Sequence, residues 1–346
     1  MNNILDNKMV VPNRVWLSLT GLCNNACEWC YRSGSETPRF LDTELATLAI
    51  KTLSKCGTKK CTIIGGEPTL HKDYKTIINS ATKEMSSCTL VTNGRLLSLD
   101  FPDEWSNNKK FHVIVSLHGV DPEHYQLNTK SRDGFDQTTA AIKLLVSKGV
   151  RHSVNVVISR ENIPKMYDFV RIVSELKVAR LCFTIAISSM DNPDYVTDPL
   201  ELANAVPKIH EMCQILEQSH LFIFSLPWCL LSDQLSSKLI TNRQLIFNCP
   251  IDQGKGVVVK EDGALTVCTH LSSYEVVSSS KARLILSEAR DFLEFWNSSE
   301  ISDFRHATNV YRYRGCTACF HRLYCKGGCP LWWKSFDFRP ILKERR

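Results

Sequence analysis

The stretch Val15-Trp-Leu-Ser-Leu-Thr20-Gly-Leu-Cys23-Asn-Asn-Ala-Cys27-Glu-Trp-Cys30 decides the fold. Residues 15–20 alternate as a strand does and pass straight into a loop carrying three cysteines; Asp42 then opens an amphipathic helix with Leu45, Leu48, Ala49 and Leu53 on its apolar face. Outward from this unit the rhythm repeats. Strands are expected at 61–64, 89–92, 111–117, 152–158, 181–187 and 221–226, and helices at 74–85, 135–148, 167–176 and 198–218. Strands alternating with helices at this spacing imply βαβ units and a parallel sheet. Five or six units in about 210 residues suit an α/β fold built as an open, partial (β/α)6 barrel better than the closed eightfold one. The active site then belongs at the C-terminal ends of the strands, where the cysteine loop lies.

The rhythm changes after Pro227. Residues 232–248 are polar and helix-like, 254–267 read as a hairpin turning at Gly263, and the last cysteines lie in a glycine-containing stretch of little periodicity, near Gly315, Gly327 and Gly328. Two domains are expected, 1–228 as the barrel and 229–346 as a small cysteine-rich domain with loops that wrap metal clusters.

Fifteen cysteines occur in 346 residues, and nine recur at short intervals: Cys23, Cys27 and Cys30; Cys249 and Cys268; Cys316, Cys319, Cys325 and Cys329. Such spacing places several thiolates on one ion or inorganic cluster. A disulfide framework needs an oxidising compartment and a domain short of core, and neither condition is met. Three thiolates in C-x3-C-x2-C can hold three irons of a cubane and leave the fourth open to an outside ligand, whereas zinc would need a fourth protein ligand nearby. Cys56, Cys61, Cys88, Cys182, Cys213 and Cys229 sit in or beside apolar segments and read as small buried hydrophobes. Cys229 is the exception to watch, as a spare ligand or hydrogen-atom donor, because Pro227-Trp-Cys229 leads from one domain into the next.

The first 14 residues carry no apolar run of signal length, and the apolar stretch 221–231, interrupted by Ser225 and Pro227, falls short of the roughly 18 residues a membrane helix needs. A cytoplasmic protein with no membrane partner is expected. The formal charge of +6 counts cysteines as neutral; three three-thiolate clusters would bring it to about +3, which with the short solvated tail at 343–346 speaks against a nucleic-acid partner.

The cysteine triplet followed by the aromatic Tyr31 resembles the signature of radical S-adenosylmethionine (SAM) enzymes. Gly65-Gly66-Glu67-Pro68, closing the second strand, resembles that family's second signature. The resemblance implies a [4Fe-4S] cluster on Cys23, Cys27 and Cys30 whose open iron chelates SAM, and one-electron cleavage of SAM to a 5′-deoxyadenosyl radical. It implies further that Gly65, Gly66 and Glu67 grip the methionine amino group, with Tyr31, Asn93, Ser116 and Asn155 among the SAM contacts. Read without the family, Thr92-Asn93-Gly94 is a turn and Ser116 a strand-end hydroxyl. Where the family often has Asp, residue 118 is His.

The cysteines from Cys249 to Cys329 resemble the SPASM extension found on radical SAM enzymes that modify peptides and proteins. The resemblance implies two auxiliary [4Fe-4S] clusters, an inner one on Cys249, Cys268 and Cys329 and an outer one on Cys316, Cys319 and Cys325. The family usually has a further cysteine beyond the last pair and another soon after the first, and neither occurs in this sequence. The outer cluster is then left to Asp337, another group or water for its fourth ligand, and the inner one keeps an iron open to a substrate thiolate or amide.

These expectations lead to modification of a ribosomal peptide by hydrogen abstraction, closing a C–C or thioether crosslink or another oxidative change. The implied partners are a precursor peptide or protein, a separate leader-binding protein where the chain has no domain for one, and a flavodoxin- or ferredoxin-type reductant. Sulfatase-type maturation is an alternative, although Thr269 and then His270 stand where such relatives carry an Asp base; His270 is the candidate proton acceptor, or else a turn histidine. Radical dehydrogenation of a carbohydrate or aminocyclitol, and a non-catalytic iron–sulfur electron carrier, are the remaining alternatives.

Overall fold

A computed structural model describes residues 9–32, 38–189, 192, 194, 195, 197–224, 226–246, 249, 251, 254–271, 274–307, 316, 318–325 and 327–336. Ser225, Gly315, Asp337 and the tail at 343–346 lie outside them. From the N-terminus, β1 (Arg14–Ser18) leads through the cysteine loop to α1 (Thr43–Lys55), β2 (Lys60–Ile64), α2 (Tyr74–Glu84), β3 (Ser87–Thr92) and β4 (Phe111–Ser116). Then come α3 (Pro122–Thr129), α4 (Gly134–Ser147), β5 (His152–Ile158), α5 (Met166–Glu175), β6 (Leu181–Ile185), α6 (Pro199–Ile215) and β7 (His220–Ile223). α7 (Asp233–Thr241), β8 (Leu245–Ile246), β9 (Gly256–Val259), β10 (Leu265–Thr266), α8 (Ser279–Ile285), α9 (Ala289–Trp296), α10 (Ser299–Ala307), α11 (Arg322–Cys325) and α12 (Pro330–Ser335) complete the described elements.

Strands β1 to β8 pair in parallel and in chain order. The barrel is open, because β8 ends one edge of the ten-stranded sheet and β10 the other. On its free side β1 takes β9 in parallel, and β10 folds back antiparallel on β9. The hairpin expected around Gly263 therefore forms, with Gly263 at φ +87° in the turn, and it also widens the barrel sheet.

Alternation along the strands sets two faces. Val113 and Val115 of β4, Val154 and Val156 of β5, and Phe183 of β6 are buried beneath the helices. Their neighbours Ile114, Ser116, Asn155, Val157 and Thr184 remain partly accessible on the concave face. A parallel sheet covered on both sides would read as continuous apolar strands; one covered on a single side keeps the alternation. Helix α1 packs by Leu45, Ala46, Ala49, Ile50 and Leu53, and Asp42 caps it by accepting from the Leu45 N–H at 2.8 Å. One continuous core runs from Val15 and Leu17 through the sheet to Trp296 and Trp332, so apolar packing spans both halves of the chain.

Helix α3 was not expected. Its sequence carries a cap, since Asp121 accepts from the His124 N–H at 2.7 Å and Pro122 takes the first helical position, but its apolar periodicity is weak. The expectation of helix over 232–248 resolves into α7 and the short strand β8. Among the described residues no helix is long and apolar enough to cross a membrane.

Candidate functional site

The cysteine loop leaves β1 at the C-terminal edge of the sheet and is held from three sides. From the β2 side, the Gly66 N–H donates to Thr20 O and the Glu67 N–H to Leu22 O, both at 2.7 Å. A Cβ on Gly66 would stand 2.1 Å from Leu22 O, so the close approach these glycines permit is to the chain's own cysteine loop. From the β3 side, Arg95 donates to the carbonyl of Asn24 and to Asn25 Oδ1, and its Nε to Gln137 Oε1 at 2.7 Å. Beyond β6, Ser189 Oγ donates to Tyr31 O at 2.6 Å and Asn192 Nδ2 to Cys30 O at 3.2 Å.

Within this frame the Asn25 N–H points at Cys23 Sγ at 3.4 Å and Asn93 Nδ2 at the same sulfur at 4.0 Å. Although Cys23 is exposed at the loop's surface, desolvation by the surrounding chain pushes its thiol up to about 12, opposed by the Asn25 N–H and assisted by the charges of Glu67 and Cys30. Burial first and then Cys30 and Cys23 push Cys27 well above the ordinary thiol value. Crowded, desolvated thiols of this kind favour their thiolate form only when a cation or metal cluster shares the site. No three described His, Cys, Asp or Glu side chains converge as ligands of a single ion do, whereas a cubane carries its thiolates on separate iron corners.

Glu67 is 1% exposed. Its Oε1 accepts from Thr69 N, Thr69 Oγ1 and Thr92 Oγ1 at 3.0, 2.6 and 2.7 Å, and its Oε2 from Asn93 N at 2.7 Å. Burial nonetheless raises its pKa, against those four donors. Asn93 thus joins Glu67 through its backbone and Asn24 through its side chain, at 2.6 Å. Ser116 and Asn155 lie in register on adjacent strands, and Asn155 Nδ2 donates to Thr184 Oγ1 at 3.1 Å across the concave face.

His118 packs its ring 5.8 Å from that of Trp29 inside the cysteine motif. Burial lowers its pKa to about 4, and its Nδ1 is buried with no hydrogen-bond partner among the described residues. A neutral imidazole against an indole, where an acid was the family's usual residue, makes this flank of the loop apolar.

The second half of the chain supplies two further thiol groups. Burial pushes Cys268 up to about 12, with Cys249 adding to it, and Cys329 is raised by burial and then by Cys249 and Cys268. Cys249, Cys268 and Cys329 are therefore neighbours. Cys325 feels Cys316 and Cys319 in the same way. Every cysteine of the chain is free of disulfides. The His270 ring packs 4.8 Å from that of Tyr31, tilted by 32°, which brings the hairpin's candidate proton acceptor to the cysteine loop and turns Tyr31 toward the hairpin; burial lowers His270 to about 4.

Sequence reasoning missed the link that sets this arrangement. Arg32, two residues past the cysteine triplet, meets Glu261 of the β9–β10 turn at 2.5 Å with both side chains 6% exposed. Ser18 Oγ donates to the other carboxylate oxygen at 2.9 Å. Tyr125 of α3 is the second omission: its hydroxyl accepts from Asn25 Nδ2 at 3.0 Å. The cap at Asp121-Pro122 was the available signal for it, while nothing in the local sequence pairs Arg32 with Glu261.

The model of the Radical SAM superfamily matches residues 17–173. Among curated proteins, a probable GTP 3′,8-cyclase of Methanopyrus kandleri is 33% identical over 172 residues, 48% of this chain and 54% of that protein. The GTP 3′,8-cyclase of Haemophilus ducreyi is 37% identical over 120 residues, 33% of this chain and 35% of that protein. The chain thus spans about half or less of the length of these curated relatives. Among solved structures, Streptococcus suis SuiB bound to S-adenosylmethionine aligns with a TM-score of 0.72 over 93% of this chain and 74% of its own at 15% identity. Native anSMEcpe with bound AdoMet and Kp18Cys peptide aligns at 0.69 over 92% and 89%, at 18% identity. At these identities the likeness is one of fold, and it extends past the matched domain. The open parallel sheet and the family match agree in giving residues 17–173 of this chain the radical SAM fold.

Proposed function

We propose that this radical SAM enzyme abstracts a hydrogen atom from a ribosomally made peptide and installs a crosslink or other oxidative modification. The observation that carries the reading is a concave face on which, among the described residues, the cations next to the strand ends are already paired, bordered by three separate thiol groups. Ser116, Asn155, Val157 and Thr184 line the face near the strand ends. The cations that follow the strands directly are engaged, Arg32 with Glu261, Arg95 with Asn24 and Gln137, Arg160 with Glu161. Lys260 is held between Asp262 and Glu275. Such a face suits an uncharged segment of peptide better than a polyphosphate, which needs several available donors.

Cys23, Cys27 and Cys30 would hold a [4Fe-4S] cluster in this reading, with the Asn25 N–H and Asn93 amide donating toward the Cys23 sulfur. Glu67 Oε2, which takes a single donor from the chain, retains capacity for the ammonium group of SAM; Gly65 and Gly66 let it reach the rim, and Ser116 and Asn155 offer further polar contacts. When bound, this cofactor pair supplies a carbon radical able to take hydrogen from unactivated carbon. Cys249, Cys268 and Cys329, and separately Cys316, Cys319 and Cys325, would hold auxiliary clusters that accept the electron left on the substrate. A flavodoxin- or ferredoxin-type protein would supply the initiating electron.

A second reading has a specific observation in its favour: the curated relatives that match in sequence, at 33% identity over 172 residues and 37% over 120, are GTP 3′,8-cyclases. Reconstituted protein with SAM and dithionite separates the two. Deuterium is expected in 5′-deoxyadenosine from a copy, deuterated at side-chain and α carbons, of whichever short peptide the neighbouring reading frames encode. Turnover of GTP without peptide labelling would replace the first reading by the second.

A further inference from the structure

We propose that Cys229 is the fourth thiolate of the outer auxiliary cluster, completing the set Cys316, Cys319 and Cys325. The inference rests on the reading that those three cysteines hold a cluster, and it assigns the position that the sequence left to Asp337, another group or water.

The geometry begins at the end of the barrel. Pro227 starts a tight 3-10 turn over Trp228–Leu230, closed by the Leu230 N–H donating to Pro227 O at 3.1 Å and the Leu231 N–H to Trp228 O at 2.9 Å. Trp228 and Leu230 are each 2% exposed, so the turn is pinned in the core on both sides of Cys229. The Trp228 N–H donates to Cys325 Sγ at 3.3 Å, which sets the peptide unit preceding residue 229 beside that sulfur. Backbone N–H groups aimed at sulfur are a usual support for cluster thiolates.

The other three come from one compact segment. The Cys319 N–H donates to Cys316 O at 3.3 Å, the Arg322 N–H to Cys319 O at 3.2 Å and the Gly328 N–H to Cys325 O at 3.0 Å. Cys229 lies within electrostatic reach of Cys325, Cys316 and Cys319. Those are the three members of the outer group. Cys325 is buried and Cys229 half-buried, thiolates gathered here would repel, and none of the four is in a disulfide. An iron–sulfide core relieves both penalties: each thiol gives up its proton to solvent on binding iron, and the cluster's positive charge offsets the four thiolates. The sequence marked Cys229 as a spare ligand without saying of which group, because 87 residues separate it from Cys316.

The test uses full-length protein in which the barrel triplet is replaced (Cys23→Ala, Cys27→Ala, Cys30→Ala), so that only auxiliary clusters are counted. Cys229→Ala and Cys229→Ser are reconstituted beside their parent and beside Cys213→Ala, a buried cysteine of α6. On mild oxidation the Cys229 variants are expected to give a three-iron paramagnetic signal well above that of the parent, whose inner cluster already has an open iron, and to lose roughly one further iron per chain, the outcome of removing one ligand from a four-iron core; Cys213→Ala should match the parent. Alkylation mapped by mass spectrometry provides a readout independent of the variants. In the parent, Cys229 should be protected together with Cys316, Cys319 and Cys325, and should become labelled with them once iron is chelated.

A spectrum and iron content unchanged in both Cys229 variants would overturn the proposal, as would ready labelling of Cys229 while the other three stay protected. The supporting reading has its own control. Cys316→Ala with Cys319→Ala should remove roughly four irons per chain, and retention of all iron in that variant would sink the outer cluster itself, not merely its fourth ligand.

Discussion

At the scale of single residues, Gly66 and Glu67 carry two different constraints in adjacent positions. With only 2.1 Å between a Cβ at residue 66 and Leu22 O, Gly66→Ala must move the cysteine loop. Reconstituted Gly66→Ala is expected to hold markedly less iron than the parent while keeping its helical circular dichroism, as measured by iron assay on the folded fraction. Glu67 meets four donors with its two oxygens. Glu67→Gln places an amide N–H₂ against some of them, and leaving a buried donor unmatched costs about 1–3 kcal/mol. The urea midpoint should fall accordingly, and equilibrium dialysis should show SAM binding weakened at least tenfold. Full SAM affinity in a destabilised Glu67→Gln protein would reduce the residue to a clamp between β2 and β3.

The elements raise a separate question, how the cysteine loop on β1 stays aligned with a hairpin more than two hundred residues later. The Arg32–Glu261 pair does this at 6% exposure on each side. Removing one partner strands a buried charge, so Glu261→Gln should destabilise by about 3–5 kcal/mol, read from denaturant unfolding. Replacing both by apolar residues of similar size should restore much of that loss.

The α6–β7 contact is sensitive to pH. His220 Nδ1 faces Gln218 O at 3.0 Å and must donate to it, so Nε2 is the acceptor for His210 Nδ1 at 2.8 Å. A proton added to His220 would set two donors against each other. Burial and the neighbouring ring lower His210 from 6.5 to about 4, and burial lowers His220. Folded values below the unfolded ones mean that the unfolded chain takes up protons first as pH falls. Their contribution is therefore complete above about pH 6.5 and is lost toward pH 4. The urea midpoint should drop between pH 7 and pH 5, and His210→Phe should reduce that drop.

For the whole molecule, one core joins Val15 and Leu17 to Trp296 and Trp332, and β9 occupies the free edge of β1. A fragment ending at residue 228 would expose that edge and the apolar surface beneath it. Expressed alone it is expected to aggregate or to remain without a cooperative melting transition, as light scattering and thermal unfolding would show. A monomeric fragment melting like the full chain would establish the first 228 residues as an independently folding domain.

What the sequence determined by itself is local. The βα rhythm, the capped helix after Asp42, the Gly65-Gly66-Glu67 turn and the short cysteine spacings all follow from periods of two and 3.6 and from neighbours a few residues apart. Read without the family, Thr92 and Asn93 are an ordinary turn, because their partner Glu67 sits in the loop after another strand, β2. Only the tertiary structure decided that the hairpin at β9–β10 extends the barrel sheet, that Arg32 meets Glu261, and that Cys229 lies with Cys316, Cys319 and Cys325. Each of those joins parts of the chain brought together by burial of shared apolar surface. That driving force is non-directional and leaves no periodic mark in the sequence to announce which distant side chains it will make neighbours.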